Sequence, residues 1–152
     1  MAIALTFRRL DETVLVAGQI RPEQVAGAAA AGVTLIVNNR PDGEEPGQPA
    51  GAEIESAAKA AGLDYRHVPM AGGISAEQVA AMAEALEAAE GKVLAFCRSG
   101  TRSTLLWALA RASRGADGQA LLAQAAAAGY DLSPLRLRRE CVGRREGRPR
   151  RP

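Results

Sequence analysis

Cys97, Arg98, Ser99, Gly100, Thr101, Arg102 and Ser103 put one thiol, two guanidinium groups and three hydroxyls within seven residues. The run lies between the apolar stretch Val93-Leu94-Ala95-Phe96 and a helical-looking stretch from Ser103 to Ser113. It therefore reads as a reactive cysteine at a strand-to-helix turn. A buried strand delivers Cys97 to the C-terminal edge of a sheet, and the helix that follows offers free backbone N–H groups and the positive end of its dipole to an anion there. Those conditions lower a thiol pKa, and Arg98 and Arg102 add two cations. Gly100 allows a backbone turn closed to most side chains, while Ser103 or Thr101 can donate a hydroxyl to a thiolate. A buried structural cysteine would explain the strand and the helix but not the two arginines, and neighbouring Lys or Arg is what separates reactive cysteines from inert ones.

The same residues resemble two families of cysteine enzymes that share this strand-loop-helix device. The protein tyrosine phosphatase superfamily carries Cys, five residues, then Arg; the rhodanese sulfurtransferases carry a shorter loop that often reads C-R-x-G-x-R. Here four residues separate Cys97 from Arg102. By that resemblance, the smaller ring of N–H donors suits a persulfide sulfur better than a full phosphoryl group. Gly18-Gln19, the segment Asn38-Asn39-Arg40-Pro41-Asp42-Gly43-Glu44-Glu45, His67-Val68-Pro69 and the run from Leu94 to Ser103 together look like the beta-lactamase-hydrolase-like, phosphatase-like domain family, over about residues 3 to 133. The resemblance implies a fold of the protein tyrosine phosphatase type. It leaves the reaction open, because members are described either as phosphatase-like or as sulfur transferases, some of them fused to persulfide dioxygenases.

The leaving group separates the two chemistries. Cleaving a phosphate monoester expels an alkoxide or phenoxide, so a proton donor must stand opposite the nucleophile. In the dual-specificity phosphatases an Asp follows a Y-x-x-I-P-like strand, whereas here Tyr65-Arg66-His67-Val68-Pro69 runs into Met70-Ala71-Gly72-Gly73-Ile74 with no acid. Transfer of a sulfane sulfur releases sulfite or a thiolate and needs no such acid. The expectation is therefore a sulfurtransferase. Cys97 takes sulfur from a small anionic donor such as thiosulfate or glutathione persulfide, and the resulting persulfide is held by the N–H groups of residues 98 to 102 and by the charges of Arg98 and Arg102. The alternative is a phosphatase-like hydrolase that forms a phosphocysteine on Cys97, with Arg102 on the equatorial oxygens. That reading gains if Asp42, Glu44 or Glu45 reaches the site as the acid. A third reading is a non-catalytic anion-binding module. Ser99, Gly100, Thr101, Ser103 and Arg40 complete the candidate binding set, and neither a metal nor an organic cofactor is expected.

At 152 residues the chain fits one domain, large enough to bury a single core. Aromatics are only 3% and alanine dominates the apolar residues, so the core should be helix-rich with small side chains. No apolar segment approaches the ~20 residues that span a bilayer, and the N-terminus lacks a basic stretch ahead of a long apolar run; the expected location is cytoplasmic, away from membranes. Two cysteines, one in the loop and Cys141 near the C-terminus, make no disulfide framework, which agrees with a reducing compartment. The net charge of +2 hides an uneven distribution. From Arg136 onward, eight arginines face Glu140 and Glu146, while residues 1–135 carry an excess of acids. Residues 1–135 read as the catalytic domain and 136–152 as a basic, solvated, disordered tail. With no aromatics to stack on bases, the tail is not expected to bind nucleic acid. Cys141 is taken as incidental.

Leu5–Phe7 and Val14–Ala17 read as an opening hairpin. Pro22 opens a helix that Gly32 stops, and Val33-Thr34-Leu35-Ile36-Val37 is a β-branched run suited to a sheet covered on both faces. A long loop with Pro41, Pro46 and Pro49 leads to a helix over 52–61. A strand over 65–69 follows, then a helix over 75–90 opened by the capping box Ser75-Ala76-Glu77-Gln78. The strand 92–96 precedes the reactive loop, and helices follow over 102–114 and 117–128. The order predicts a single α/β domain with a mostly parallel sheet flanked by helices. Ligands bind beyond the C-terminal ends of such strands, where Asn38-Asn39-Arg40, Pro69–Gly73 and Cys97–Arg102 fall. Arg40 is placed to bind an anionic donor. His67, the only histidine, reads as structural, Trp107 as core, and Asn38 and Gln19 as hydrogen-bonding partners of the loop or substrate.

Overall fold

A computed structural model describes residues 5–132. The basic segment 136–152, with Cys141, lies outside the described residues.

The strands are β1 (Arg8–Arg9), β2 (Val14–Ala17), β3 (Val33–Asn38), β4 (Asp64–His67) and β5 (Lys92–Phe96). They form one sheet in the order β1-β2-β5-β3-β4, parallel throughout except for the antiparallel β1–β2 pair. The helices are α1 (Val25–Ala30), α2 (Gly51–Ala60), α3 (Ala76–Ala88), α4 (Thr101–Ser113) and α5 (Gly118–Ala127), with a short 3₁₀ turn at Pro22–Gln24 ahead of α1.

Successive side chains of a strand point to opposite faces, and both faces of this sheet are covered. Val14, Val16, Leu35, Val37, Val93 and Ala95 pack with Val79, Met82 and Leu86 of α3 and Leu106, Trp107 and Leu109 of α4. On the other face Leu15, Ala17, Ile36, Leu94 and Phe96 pack with Ile20, Val25, Ala28, Ile54 and Ala58. That double burial is why β2, β3 and β5 read as continuous apolar runs rather than alternating ones. A register shift between Val33 and Leu35 against β5 lets Val33 join the second face although Leu35 joins the first.

The capping box appears as predicted: the Ser75 hydroxyl accepts from the Gln78 N–H at 3.1 Å, and the Gln78 side chain accepts from the Ser75 N–H at 2.8 Å. The opening hairpin is shifted, pairing Arg8–Arg9 rather than Leu5–Phe7 with β2. Its cause is Asp11, whose carboxylate accepts the N–H groups of Thr13 (2.9 Å) and Val14 (2.8 Å) and closes a tight turn. The other Asp11 oxygen accepts from Trp107 Nε1 at 2.8 Å and Arg111 Nε at 3.2 Å. Trp107 is fully buried, as expected of a core residue. Among the described residues, no helix is long and apolar enough to cross a membrane.

Candidate active site

The parallel register brings three strand ends to one edge. Ala17 and Asn38 both pair with Phe96, and Asn38 pairs with His67 on its other side. The residues that follow are joined across the edge: Asn39 N–H donates to the Phe96 carbonyl at 2.8 Å, and Gln19 N–H to the Arg98 carbonyl at 3.2 Å. Gly18 is required for this approach, because a Cβ there would lie 2.9 Å from the Arg98 oxygen.

Cys97 emerges from β5 almost fully buried and as a free thiol. The chain then turns through Gly100, at φ +95° and ψ −13°, into the first turn of α4. That left-handed conformation favours glycine. It aims the Gly100 N–H at the Cys97 sulfur, 3.0 Å away. Neither hydroxyl proposed as a thiol partner takes that role. Thr101 Oγ1 pairs with Ser99 Oγ at 3.2 Å, and the buried Ser103 hydroxyl has no hydrogen-bond partner. The backbone N–H of Gly100 donates to the sulfur, and the Arg102 guanidinium reaches it as well.

Three arginines converge from different elements, and two glutamates of the β3–α2 loop hold them. Arg102 donates from both terminal nitrogens to the two oxygens of Glu44, at 2.7 and 2.9 Å, and also to the Met70 carbonyl at 2.9 Å. Arg40 is 2% exposed. It donates from Nε to Glu44 at 2.8 Å, from Nη2 to Glu45 at 2.9 Å and from Nη1 to Gln19 Oε1 at 3.0 Å. Arg98 is largely exposed and pairs with Glu45 at 3.0 Å.

These contacts set the protonation of the cluster. Glu44 is held down to about 2, first by its hydrogen bonds to Arg102 and then by those to Arg40, against a burial penalty. Glu45 is lowered by Arg40 and by the charge of Arg98. Arg102 is pushed up by Glu44, against burial, with a further contribution from the Cys97 sulfur. Burial alone would lower Arg40, but Glu44 and Glu45 outweigh it and its guanidinium is raised.

Asp42 points elsewhere: it accepts the Gly51 N–H at 2.8 Å and caps α2. Asn38 and His67 serve the architecture. Asn38 Oδ1 accepts the Arg40 N–H at 2.9 Å and its amide donates to the Tyr65 hydroxyl at 3.0 Å. His67 Nε2 lies 2.9 Å from the Arg40 carbonyl, so that nitrogen carries the proton and donates. Among the described residues, no group of three or more His, Cys, Asp or Glu side chains is placed to hold a metal ion.

One residue of the site escaped sequence reasoning. The Tyr130 hydroxyl, beyond the end of α5, donates to the Ser99 carbonyl at 3.2 Å. The sequence signal available was Gly129, a helix stop followed directly by one of the chain's two tyrosines.

Known proteins match this architecture. The family described as beta-lactamase hydrolase-like protein, phosphatase-like domain, matches residues 6–114. A beta-lactamase hydrolase-like protein of Agrobacterium fabrum is 41% identical over 108 residues, covering 70% of this chain and 25% of its own. One from Xylella fastidiosa is 40% identical over 101 residues, covering 66% and 23%. The chain thus spans about a quarter of the length of these curated relatives. Among solved structures, a candidate phosphatase from Neisseria meningitidis superposes with a TM-score of 0.76 at 34% identity, covering 86% of this chain and 95% of that one. TpbA of P. aeruginosa, solved in complex with pTyr, gives 0.57 at 22% identity over 86% and 88%, a likeness of fold. With the Cys97 loop, the parallel sheet and the match across most of its described length, the chain belongs to the phosphatase-like domain family of beta-lactamase hydrolase-like proteins.

Proposed function

We propose that the chain is a cysteine-dependent phosphatase-like hydrolase that cleaves phosphate monoesters through a phosphocysteine on Cys97. One observation carries this reading. Arg102, whose charge acts on the Cys97 sulfur, grips a carboxylate with both terminal nitrogens. A planar fork already engaged with one oxyanion has the geometry to hold two equatorial oxygens of a phosphoryl group.

In the first step Cys97 Sγ attacks phosphorus, the S–P bond forms and the P–O bond to the leaving group breaks. The loop N–H groups and Arg102 stabilise the charge on the equatorial oxygens. A phosphoryl dianion that takes Arg102 displaces Glu44 from it. This removes the strongest influence depressing that carboxyl; Arg40 still lowers it, and the phosphoryl dianion now beside it opposes Arg40, which is what allows Glu44 to carry a proton to the leaving oxygen. In the second step water attacks the thiophosphate, gives its proton to the Glu44 carboxylate and releases phosphate as the S–P bond breaks.

The expectation of sulfur transfer rested on a missing acid as well as on the short loop. Glu44 sits against Arg102, so the acid argument no longer favours sulfur, and the relatives at 34–41% identity bear phosphatase-like or beta-lactamase hydrolase-like names. The test is hydrolysis of an aryl phosphate, with intact mass recorded after quenching. Cys97-dependent turnover and a trapped phosphoryl adduct, both lost in Cys97→Ser, are expected. An unmodified protein without turnover, or one that instead gains a single sulfur atom from thiosulfate or glutathione persulfide, would overturn the reading.

A further inference from the structure

We infer that Tyr130 is a positioning residue for Cys97, acting through the Ser99–Gly100 peptide group; this rests on the reading of Cys97 as the nucleophile. The Tyr130 hydroxyl donates to the Ser99 carbonyl at 3.2 Å, and the N–H of the same peptide, that of Gly100, donates to the Cys97 sulfur at 3.0 Å. A trans peptide is planar, with its C=O and N–H on opposite sides. Anchoring the oxygen therefore fixes where the N–H points. Donation to the oxygen also polarises the peptide and strengthens its N–H as a donor, since hydrogen bonds in a chain reinforce one another.

The fold holds Tyr130 in that place. Gly129 N–H donates to the Ala126 carbonyl and Tyr130 N–H to the Ala125 carbonyl, both at 2.9 Å, with Gly129 at φ +98°. This is the Schellman ending of α5, in which the residue after the glycine has a set position. Arg8 reinforces it from β1 by donating to the Ala128 carbonyl at 3.0 Å. The fit with the loop is reciprocal, because a Cβ on Gly100 would collide with the Tyr130 hydroxyl. Burial pushes the Tyr130 hydroxyl above its usual range and the Cys97 sulfur adds to this, while Arg8 opposes them. The group stays a protonated donor at neutral pH.

Arg102 of α4 is the charged group that acts on the sulfur, and it is tied through Glu44 to Arg40 and, through Glu45, to Arg98, while Arg8 acts on Tyr130. Tyr130→Phe keeps all of them and keeps the ring, removing only the hydroxyl. The experiment uses the full chain carrying Cys141→Ser, so that Cys97 alone reports. It compares this protein with its Y130F variant in the pH midpoint of Cys97 alkylation by iodoacetamide, in kcat and KM on an aryl phosphate, and in melting temperature. The alkylation midpoint is expected to rise by about half a pH unit, with kcat falling about threefold and KM unchanged. An unchanged midpoint overturns the inference, whether or not the melting temperature falls, because a purely structural role would lower only the latter. If the midpoint shifts but neither protein hydrolyses the ester, Tyr130 keeps its role and the phosphatase reading fails.

Discussion

Glu44 occupies both terminal nitrogens of Arg102 at 2.7 and 2.9 Å, the face of the guanidinium that the proposed phosphoryl substrate would need. Arg40, four residues earlier in the same loop and buried, donates to Glu44 Oε1 at 2.8 Å and holds the carboxylate in place. Arg102 is thus paired with one of the protein's own anions.

Replacing that anion should affect binding and turnover in opposite directions. Glu44→Gln removes the charge that competes for Arg102, so inhibition by inorganic phosphate or vanadate should strengthen about tenfold, the effect of losing one charge-assisted contact. The same variant lacks the proposed acid. Its kcat should fall about a hundredfold on an alkyl phosphate, which needs protonation, and far less on an aryl phosphate with a good leaving group. Inhibition constants and a leaving-group series measure both. Equal losses across the series would remove Glu44 from the role of acid.

Acid should destabilise the fold through the same group. Glu44 drops from its ordinary 4.5 to about 2 on folding. A depressed carboxyl contributes stability that is fully present above pH 4.5 and is lost as the pH falls through about 2. Asp11 and Glu45 are lowered in the same sense. Urea midpoints across that window should fall steadily in the wild type and less steeply in Glu44→Gln.

Asp11 ties the β1–β2 turn to α4 with one carboxylate, through Thr13, Val14, Trp107 and Arg111. Asp11→Ala leaves the buried Trp107 N–H without its acceptor and should cost about 2 kcal/mol, read from chemical denaturation. Activity per folded molecule should be retained, because none of these residues touches the Cys97 loop.

Gly100→Ala should be severe. It places a side chain at φ +95° and drives it into Tyr130. The backbone strain alone costs about 1–3 kcal/mol, and the peptide that faces the sulfur must move. Near-complete loss of Cys97-dependent turnover is expected, and normal activity in a folded Gly100→Ala protein would mean that this peptide does not matter.

Much of the architecture was legible because local rules decide it. The apolar strand runs, the Ser75–Gln78 capping box, the helix-stopping glycines and the glycine of the Cys97 loop each depend on neighbours a few residues away. Asp11 shows where such rules misplace an element. Its side-chain turn moved the first strand from Leu5–Phe7 to Arg8–Arg9, and its anchors Trp107 and Arg111 lie about a hundred residues on.

By itself, the sequence determined a cysteine at the end of a buried strand, ahead of a helix and next to arginines, in an α/β domain, because strand periodicity and a strand-loop-helix motif are written in consecutive residues. Only the tertiary structure decided what faces that cysteine. Glu44 meets Arg102 across 58 residues, and Tyr130 meets Ser99 across 31. Both meetings follow from long-range geometry: the parallel register of β3 against β5 for Glu44, and the docking of α5 beside α4 for Tyr130. The chemistry of a thiol depends on which donors and charges stand within a few ångströms of it, and no spacing along the chain encodes those distances.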